Sequence, residues 1–392
     1  MVIAVSLAAA ALFAAGDAVA PVNRQANPYA QWRRGPVAPA AANNYFPIAV
    51  WLQQPKNAAK FKAAGINLYI GLWKGPTDKQ LAELTGAGMP VICDQNAVGL
   101  KHVNDPIIVG WMHGDEPDNA QALPGGKGYG PPIRPEKVRA DYQRMIKADP
   151  TRPVLLNLGQ GVAYDDYIGR GVRRGRMEDY PQYVRGCDIV SFDIYPAVHD
   201  KPAIAGKLEM VPRGVDRLRT WGGDGKVVWN CIECTRISNT RVKPTPAQVR
   251  SEVWMSIIHG SRGLIYFVHQ FKPTFIEAGL LADAEMLAAV TKINARIAAL
   301  APVLNSPSVE KLVTVTSSDA AVPIDIMVKK LGKRVYVLAA AMRGRETTGA
   351  FRIEGLGAAR ATVLDEERTV NVTGGGFSDE FKGYQVHLYE IE

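Results

Sequence analysis

The sequence predicts a (β/α)8 TIM barrel followed by a small C-terminal antiparallel β-sandwich, and three observations predict it. Between Tyr45 and about Ala301, short apolar runs alternate with helical stretches eight times over. Each apolar run ends in polar or glycine-rich residues, as strands do on reaching the rim of a parallel sheet. After Pro302 the helical period disappears and short alternating runs replace it. An open doubly wound sheet also alternates strand and helix, but it carries an early glycine-rich phosphate-binding turn, and none occurs here. The expected division is a leader over 1–20, a linker or strap over 21–44, the barrel over 45–301 and the sandwich over 302–392.

The elements follow in order. Residues 46–52 read as the first strand, 56–64 as a helix stopped by Gly65, and 66–73 as the second strand. A helix over 77–85 leads to the third strand, 89–94, with Gln95 and Asn96 at its exit. The fourth strand starts at Ile107-Ile108-Val109 and breaks into His113-Gly114-Asp115-Glu116-Pro117-Asp118. Pro117 lacks an N–H and disfavours helix at Glu116, so the carboxylate is held at a strand end. A long Gly/Pro loop over 123–132 follows, a length usual for functional loops. The helix over 135–148 has Val138, Tyr142 and Ile146 on one face. The fifth strand, 153–158, exits at Gly159-Gln160-Gly161. The sixth, 188–195, is cut off by Pro196, and a helix covers roughly 205–221. The seventh, 226–233, ends on Glu233. Thr245-Pro246-Ala247-Gln248 has the form of a capping box with proline at the first helical position. The eighth strand, 263–268, ends at His269-Gln270, and Met286, Val290, Ile293, Ile297 and Leu300 mark a last helix. Beyond it, runs near 311–316, 324–328, 334–339, 349–353, 361–364 and 384–389 read as sandwich strands.

Of the 392 residues 47% are hydrophobic and 21% charged, enough apolar chain for a large core. The net charge of +8 comes from scattered Lys and Arg rather than a basic stripe with interleaved aromatics, so nucleic acid is not an expected partner. The apolar run over 2–15, followed by Ala18-Val19-Ala20, reads as a secretory signal cleaved near Ala20, although no Lys or Arg precedes Arg24. That places the mature protein in a secreted or periplasmic setting. No later run reads as a membrane span, so no membrane partner is expected. The four cysteines include one C-x-x-C, Cys231 to Cys234, without a second pair; on a strand these positions face opposite ways. They are expected to be small buried residues, and no metal or other cofactor is expected.

Barrels of this kind assemble their sites at the C-terminal rim. Glu116 and Glu233 stand at the exits of the fourth and seventh strands. Two carboxyls roughly 5–5.5 Å apart can cleave a glycosidic bond with retention, one protonating the leaving oxygen and the other attacking the anomeric carbon. Trp51, Trp73 and Trp229 offer indole faces for sugar rings. Asp94, Asn96, His113, Asp115, Asn157, Gln160, Asp193, Tyr195, His269 and Gln270 offer partners for hydroxyls.

On these residues the chain resembles the large clan of retaining glycoside hydrolases with TIM barrels (clan A), over about residues 45–301. The resemblance implies Glu116 as acid/base, Glu233 as nucleophile, Tyr195 as the tyrosine near the nucleophile, and a carbohydrate substrate cleaved at a β-glycosidic bond. The clan usually has Asn before its acid/base, where this chain has Asp115. It often ends its eighth strand on Trp, where this chain has Val268-His269-Gln270.

Two other readings stand beside this one. A metal-dependent barrel hydrolase would use His113, Asp115, Asp193 and His269, but no H-x-H pair ends the first strand. A sugar-binding protein on a degenerate barrel would not need two opposed carboxylates. Each residue also has a plainer role open to it. Glu116 and Glu233 could be structural ion-pair partners, and Asp94 and Asp193 could cap loops. Trp229 could be a core or wall residue, His113 and His269 satisfied structural histidines, and Tyr195 a packing aromatic.

Overall fold

The computed structural model describes residues 28–37 and 43–392, so the expected leader lies outside the described residues. Nine parallel strands build the barrel: β1 (Ile48–Trp51), β2 (Leu68–Ile70), β3 (Val91–Asp94), β4 (Ile108–Met112), β5 (Val154–Leu158), β6 (Ile189–Phe192), β7 (Val227–Val228), β8 (Asn230–Glu233) and β9 (Leu264–Phe267). Their order is β7-β6-β5-β4-β3-β2-β1-β9-β8. β7 and β8 are two pieces of one run interrupted at Trp229, so the ring closes through the chain itself and the eightfold count is kept. Helices α1 (Ala58–Ala63), α2 (Asp78–Ala87), α3 (Ala97–Lys101), α4 (Pro135–Ala148), α5 (Tyr180–Val184), α6 (Met210–Gly222), α7 (Pro246–Ile258) and α8 (Ala284–Leu304) surround it.

Strand alternation sorts the barrel residues into two cores. Ala49, Trp51, Leu68, Ile70, Ile92, Val109, Met112, Leu155, Ile189 and Ile265 fill the lumen. Ile48, Val50, Tyr69, Val91, Ile108 and Val190 face the helices. Tyr29, Trp32 and Val37, from the segment before β1, join the lumen core. There the Trp229 indole N–H donates to the Tyr29 hydroxyl (2.7 Å), which donates to the Arg262 carbonyl (2.7 Å). Gly263 is required beside them, because a Cβ there would stand 2.5 Å from the Trp229 ring.

Capping boxes start α2 (Thr77 with Gln80) and α7 (Thr245 with Gln248). α6 begins at Met210, five residues later than the expected 205, because the chain from Pro196 first turns back on itself through the Gly206 N–H to Pro196 carbonyl bond (2.8 Å). α8 runs through Pro302 to Leu304, past the expected boundary. Its 21 residues are long and apolar enough to cross a membrane, which the sequence reading overlooked. Met286, Val290, Ile293 and Ile297 are buried in the core shared with the other barrel helices.

The C-terminal domain has a three-stranded sheet, β10 (Val313–Ser317), β13 (Thr347–Ile353) and β16 (Gly376–Phe381), and a five-stranded sheet. The latter holds β11 (Ile324–Leu331), β12 (Arg334–Ala341), β17 (Val386–Ile391), β14 (Ala359–Val363) and β15 (Arg368–Val372). All pairs are antiparallel. β15 and β16 were not expected, since charged and polar residues interrupt their apolar alternation. Met327, Tyr336 and Leu338 pack into the barrel's helix layer. Burial of such side chains contributes roughly 1.5–3 kcal/mol each, whereas the partly exposed Arg296–Asp365 ion pair (2.6 Å) contributes about 1 kcal/mol or less.

Candidate active site

The site grows from the break at the end of β4. Glu116 has φ 43°, a left-handed conformation that a non-glycine residue seldom adopts. Such strain costs about 1–3 kcal/mol and persists only where the surroundings fix it. Here they do. The Glu116 N–H donates to the Asn157 carbonyl (3.2 Å) and the Asn119 N–H to the Glu116 carbonyl (3.0 Å). Asp118, fully buried, accepts from the Gly159 N–H (2.9 Å) and the Tyr180 hydroxyl (3.1 Å), with Arg170 3.9 Å away.

Three strand ends converge on this turn. The Asn157 amide, on β5, donates to Asp115 (3.0 Å), and its carbonyl accepts from Ser191 on β6 (2.7 Å). Just past β6, the Asp193 carboxyl meets the Glu116 carboxyl in hydrogen-bond contact. Asp115 is open to solvent through the mouth of this hollow, with protein close around it on the other sides. Asp193 Oδ1 and the Tyr195 hydroxyl are buried beside each other at this hollow.

Crowding sets the protonation. Burial first, and the Asp193 charge second, push Glu116 well above the usual carboxylate range. The same two causes lift Asp115 to about 7. Burial raises Asp193 too, while its contact with Glu116 pulls it down. Like charges this close cannot all ionise in a poorly solvated hollow, and they titrate as one unit. The hollow therefore holds a shared proton, with Glu116 the carboxyl raised further by its surroundings.

Glu233 is placed elsewhere. Its side chain is fully buried, and its two carboxylate oxygens accept the N–H groups of Ala197 (2.6 Å) and Val198 (3.0 Å). Behind it stands Glu252 of α7, equally buried. No hydrogen bond joins Glu233 to Glu116; Glu233 ties down the loop that follows Asp193. Two backbone donors hold the carboxylate against the connection that follows β6.

Other expected contacts divide. Trp51 is buried in the lumen wall, while Trp73 is exposed beyond β2. Trp229 lies fully buried on the barrel floor, out of a substrate's reach, which corrects its expected role. Asp94 is exposed at the end of β3. Asn96 is a helix cap, accepting the Gly99 N–H (2.8 Å), because its side chain folds back on α3. His113 is engaged with the Gly186 carbonyl (2.7 Å), outside the lumen. Gln160 meets His199 (3.1 Å), His269 meets Gln53 (3.2 Å), and Gln270 donates to the Thr274 carbonyl (3.3 Å). The four residues of the metal reading thus do not converge: His113 and His269 have partners of their own away from Asp115 and Asp193. Sequence reasoning passed over Asp118, Ser191, Glu252 and the Glu116–Asp193 contact. Only Glu252 left a signal, as a carboxylate within the apolar stripe of a capped helix.

No protein-family model matches the chain, and neither does any curated protein. Solved structures do match. A variant of AmyP in complex with maltotriose superposes with a TM-score of 0.55, at 9% identity, over 90% of this chain and 98% of its own. AmyP in complex with maltose gives 0.54, at 9% identity, over 90% and 97%. A putative alpha-galactosidase from Bacteroides fragilis gives 0.52, at 11% identity, over 88% and 79%. At such identities the likeness is one of fold, and fold alone does not fix chemistry. The chain has a TIM-barrel fold with a C-terminal β domain, and its likeness to these structures extends over about nine-tenths of its length.

Proposed function

We propose that this chain is an exported glycoside hydrolase that cleaves a β-glycosidic bond of an oligo- or polysaccharide with retention, using Glu116 as acid/base. The observation that carries the reading is the contact between Glu116 and Asp193 at the barrel mouth. Two carboxyls that share one proton at the barrel mouth supply the two protonation states that glycoside cleavage needs, an acid and a carboxylate. A retaining enzyme holds its two carboxyls roughly 5–5.5 Å apart and an inverting one roughly 6.5–9.5 Å; Glu116 and Asp193 touch, so this reading requires that a bound sugar part them, and retention rests on the clan resemblance. Asp193, which shares the hollow, is the better placed nucleophile, and Glu233 the anchor of its loop. In the forward step the leaving oxygen takes the Glu116 proton as Asp193 bonds to the anomeric carbon. Water, deprotonated by Glu116, then releases the sugar.

The AmyP complexes with maltose and maltotriose support a carbohydrate substrate. The β linkage rests on the clan resemblance, and export on the leader pattern. The test is a panel of aryl α- and β-glycosides and polysaccharides, with product configuration followed by proton NMR. Retained β product from wild type, lost in Asp193→Asn throughout and in Glu116→Gln on the polysaccharides, is the expected result. Inverted product would overturn the double displacement, cleavage of α-glycosides alone the linkage, and full activity in both variants the site.

A further inference from the structure

Among the described residues, every large apolar side chain that the barrel leaves exposed lies on a segment leaving the C-terminal end of a strand, such as Trp73, Tyr129 and Ile168. Two of them are built into a defined device. After β9, Gln270 and Ile276 exchange backbone hydrogen bonds (2.9 Å each way), closing a hairpin over 270–276. This pairing puts Phe271 and Phe275 on one face with ring centroids 5.5 Å apart. They are 44% and 61% exposed, where packing would have hidden ordinary core rings.

The pair is joined to the candidate active site by a run of rings. Both phenylalanines stack on His269, at 6.3 and 6.0 Å with interplanar angles of 25° and 19°. His269 is 5.1 Å from Phe267, which is 5.1 Å from Tyr195. Tyr195 stands beside Asp193. Buried Tyr195 and His269, with half-buried Phe267, therefore link the two exposed rings to the carboxylates through ring-to-ring contacts. Pyranose rings carry apolar C–H faces with hydroxyls at their edges, and a glycan chain repeats that surface at each residue. We propose that Phe271 and Phe275 form a stacking platform for sugar residues of an extended glycan chain, remote from the bond being cut. The substrate is accordingly a polymer. This rests on the glycoside hydrolase reading for the identity of its ligand, and its continuity with the hollow is what favours a glycan over a second copy of the chain.

The test is affinity electrophoresis in gels containing soluble xylan, mixed-linkage β-glucan or amylose. The parent is Glu116→Gln, which binds without degrading, compared with the same protein carrying Phe271→Ala and Phe275→Ala. Matching thermal unfolding checks that the fold is kept. At least one gel is expected to retard the parent, with apparent affinity falling about tenfold in the alanine pair. A Phe271→Trp/Phe275→Trp pair should restore it. No retardation of the parent in any gel, or equal retardation of parent and alanine pair, overturns the platform. So does light scattering that finds a dimer lost in the alanine pair, which would make this face a contact between copies. Retardation that depends on the two phenylalanines, in a wild type that cleaves nothing, keeps the platform and sinks the hydrolase reading; cleavage without retardation does the reverse.

Discussion

Glu116 and Asp193 meet at the barrel mouth in hydrogen-bond contact, and burial raises both carboxyls. If Glu116 is the proton donor, its removal matters in proportion to how badly the leaving group needs a proton. Glu116→Gln should lose on the order of 10²–10⁴ in kcat/KM on unactivated glycosides. On an aryl glycoside with an acidic phenol the first step needs no acid, and the loss there should be far smaller. Equal losses on both substrates would remove Glu116 from that role.

The pH profile follows from the same contact. Glu116 must be protonated to act, so activity falls as pH rises through its raised pKa. Burial is the larger cause of that rise and the Asp193 charge the next. Asp193→Glu keeps the charge, whereas Asp193→Asn removes it and lowers the Glu116 pKa. The basic limb should therefore move to lower pH in the residual activity of the Asn variant. A limb that stays put in Asp193→Asn would show that another group sets it.

The barrel was legible because its signals are repeated. Eight apolar runs with polar exits survive a misplaced boundary or two, and the capping boxes at Thr77 and Thr245 fix helix starts without tertiary help. Side-chain direction at a strand exit was not legible. Glu116 and Glu233 both end strands, yet a left-handed turn keeps the first in the hollow, while two N–H donors from another connection hold the second beside the loop. The meeting of Asp193 with Glu116 depends on the relative stagger of β4 and β6, which no local pattern encodes. Phe271 and Phe275 were equally silent, since a short hairpin in a loop has no period to detect.

Glu233 and Glu252 give a stability prediction. Burial pushes both carboxyls up, Glu233 to about 8 and Glu252 well above its usual range. Glu233 already accepts two N–H groups, so Glu252, whose oxygens face no other donor, carries the proton that joins them. Groups whose folded pKa is raised contribute stability that is complete below the unfolded value, about 4.3, and lost as pH climbs through the folded one. Urea midpoints should fall between pH 5 and 9. Glu252→Gln keeps a donor to Glu233 and removes one buried ionisation, so it should flatten that fall, with a gain on the order of 1–3 kcal/mol at pH 9. A variant as pH-dependent as wild type would mean that the pair does not govern the slope.

The same carboxylate separates two accounts of catalysis. Glu233 holds the Ala197 and Val198 N–H groups, and the chain from there back to Asp193 spans only Tyr195-Pro196 and Ile194. Glu233→Gln should let this loop shift and misplace Asp193, lowering kcat by about 10²-fold. As an anchor, Glu233 never bonds to the sugar. Azide should therefore fail to rescue Glu233→Ala, while it should rescue Asp193→Ala and give a glycosyl azide of inverted configuration. Rescue of Glu233→Ala with inverted product would show that Glu233 leaves its two N–H donors and enters the hollow during turnover. The nucleophile would then be Glu233, and the contact between Glu116 and Asp193 would serve only to keep the acid protonated.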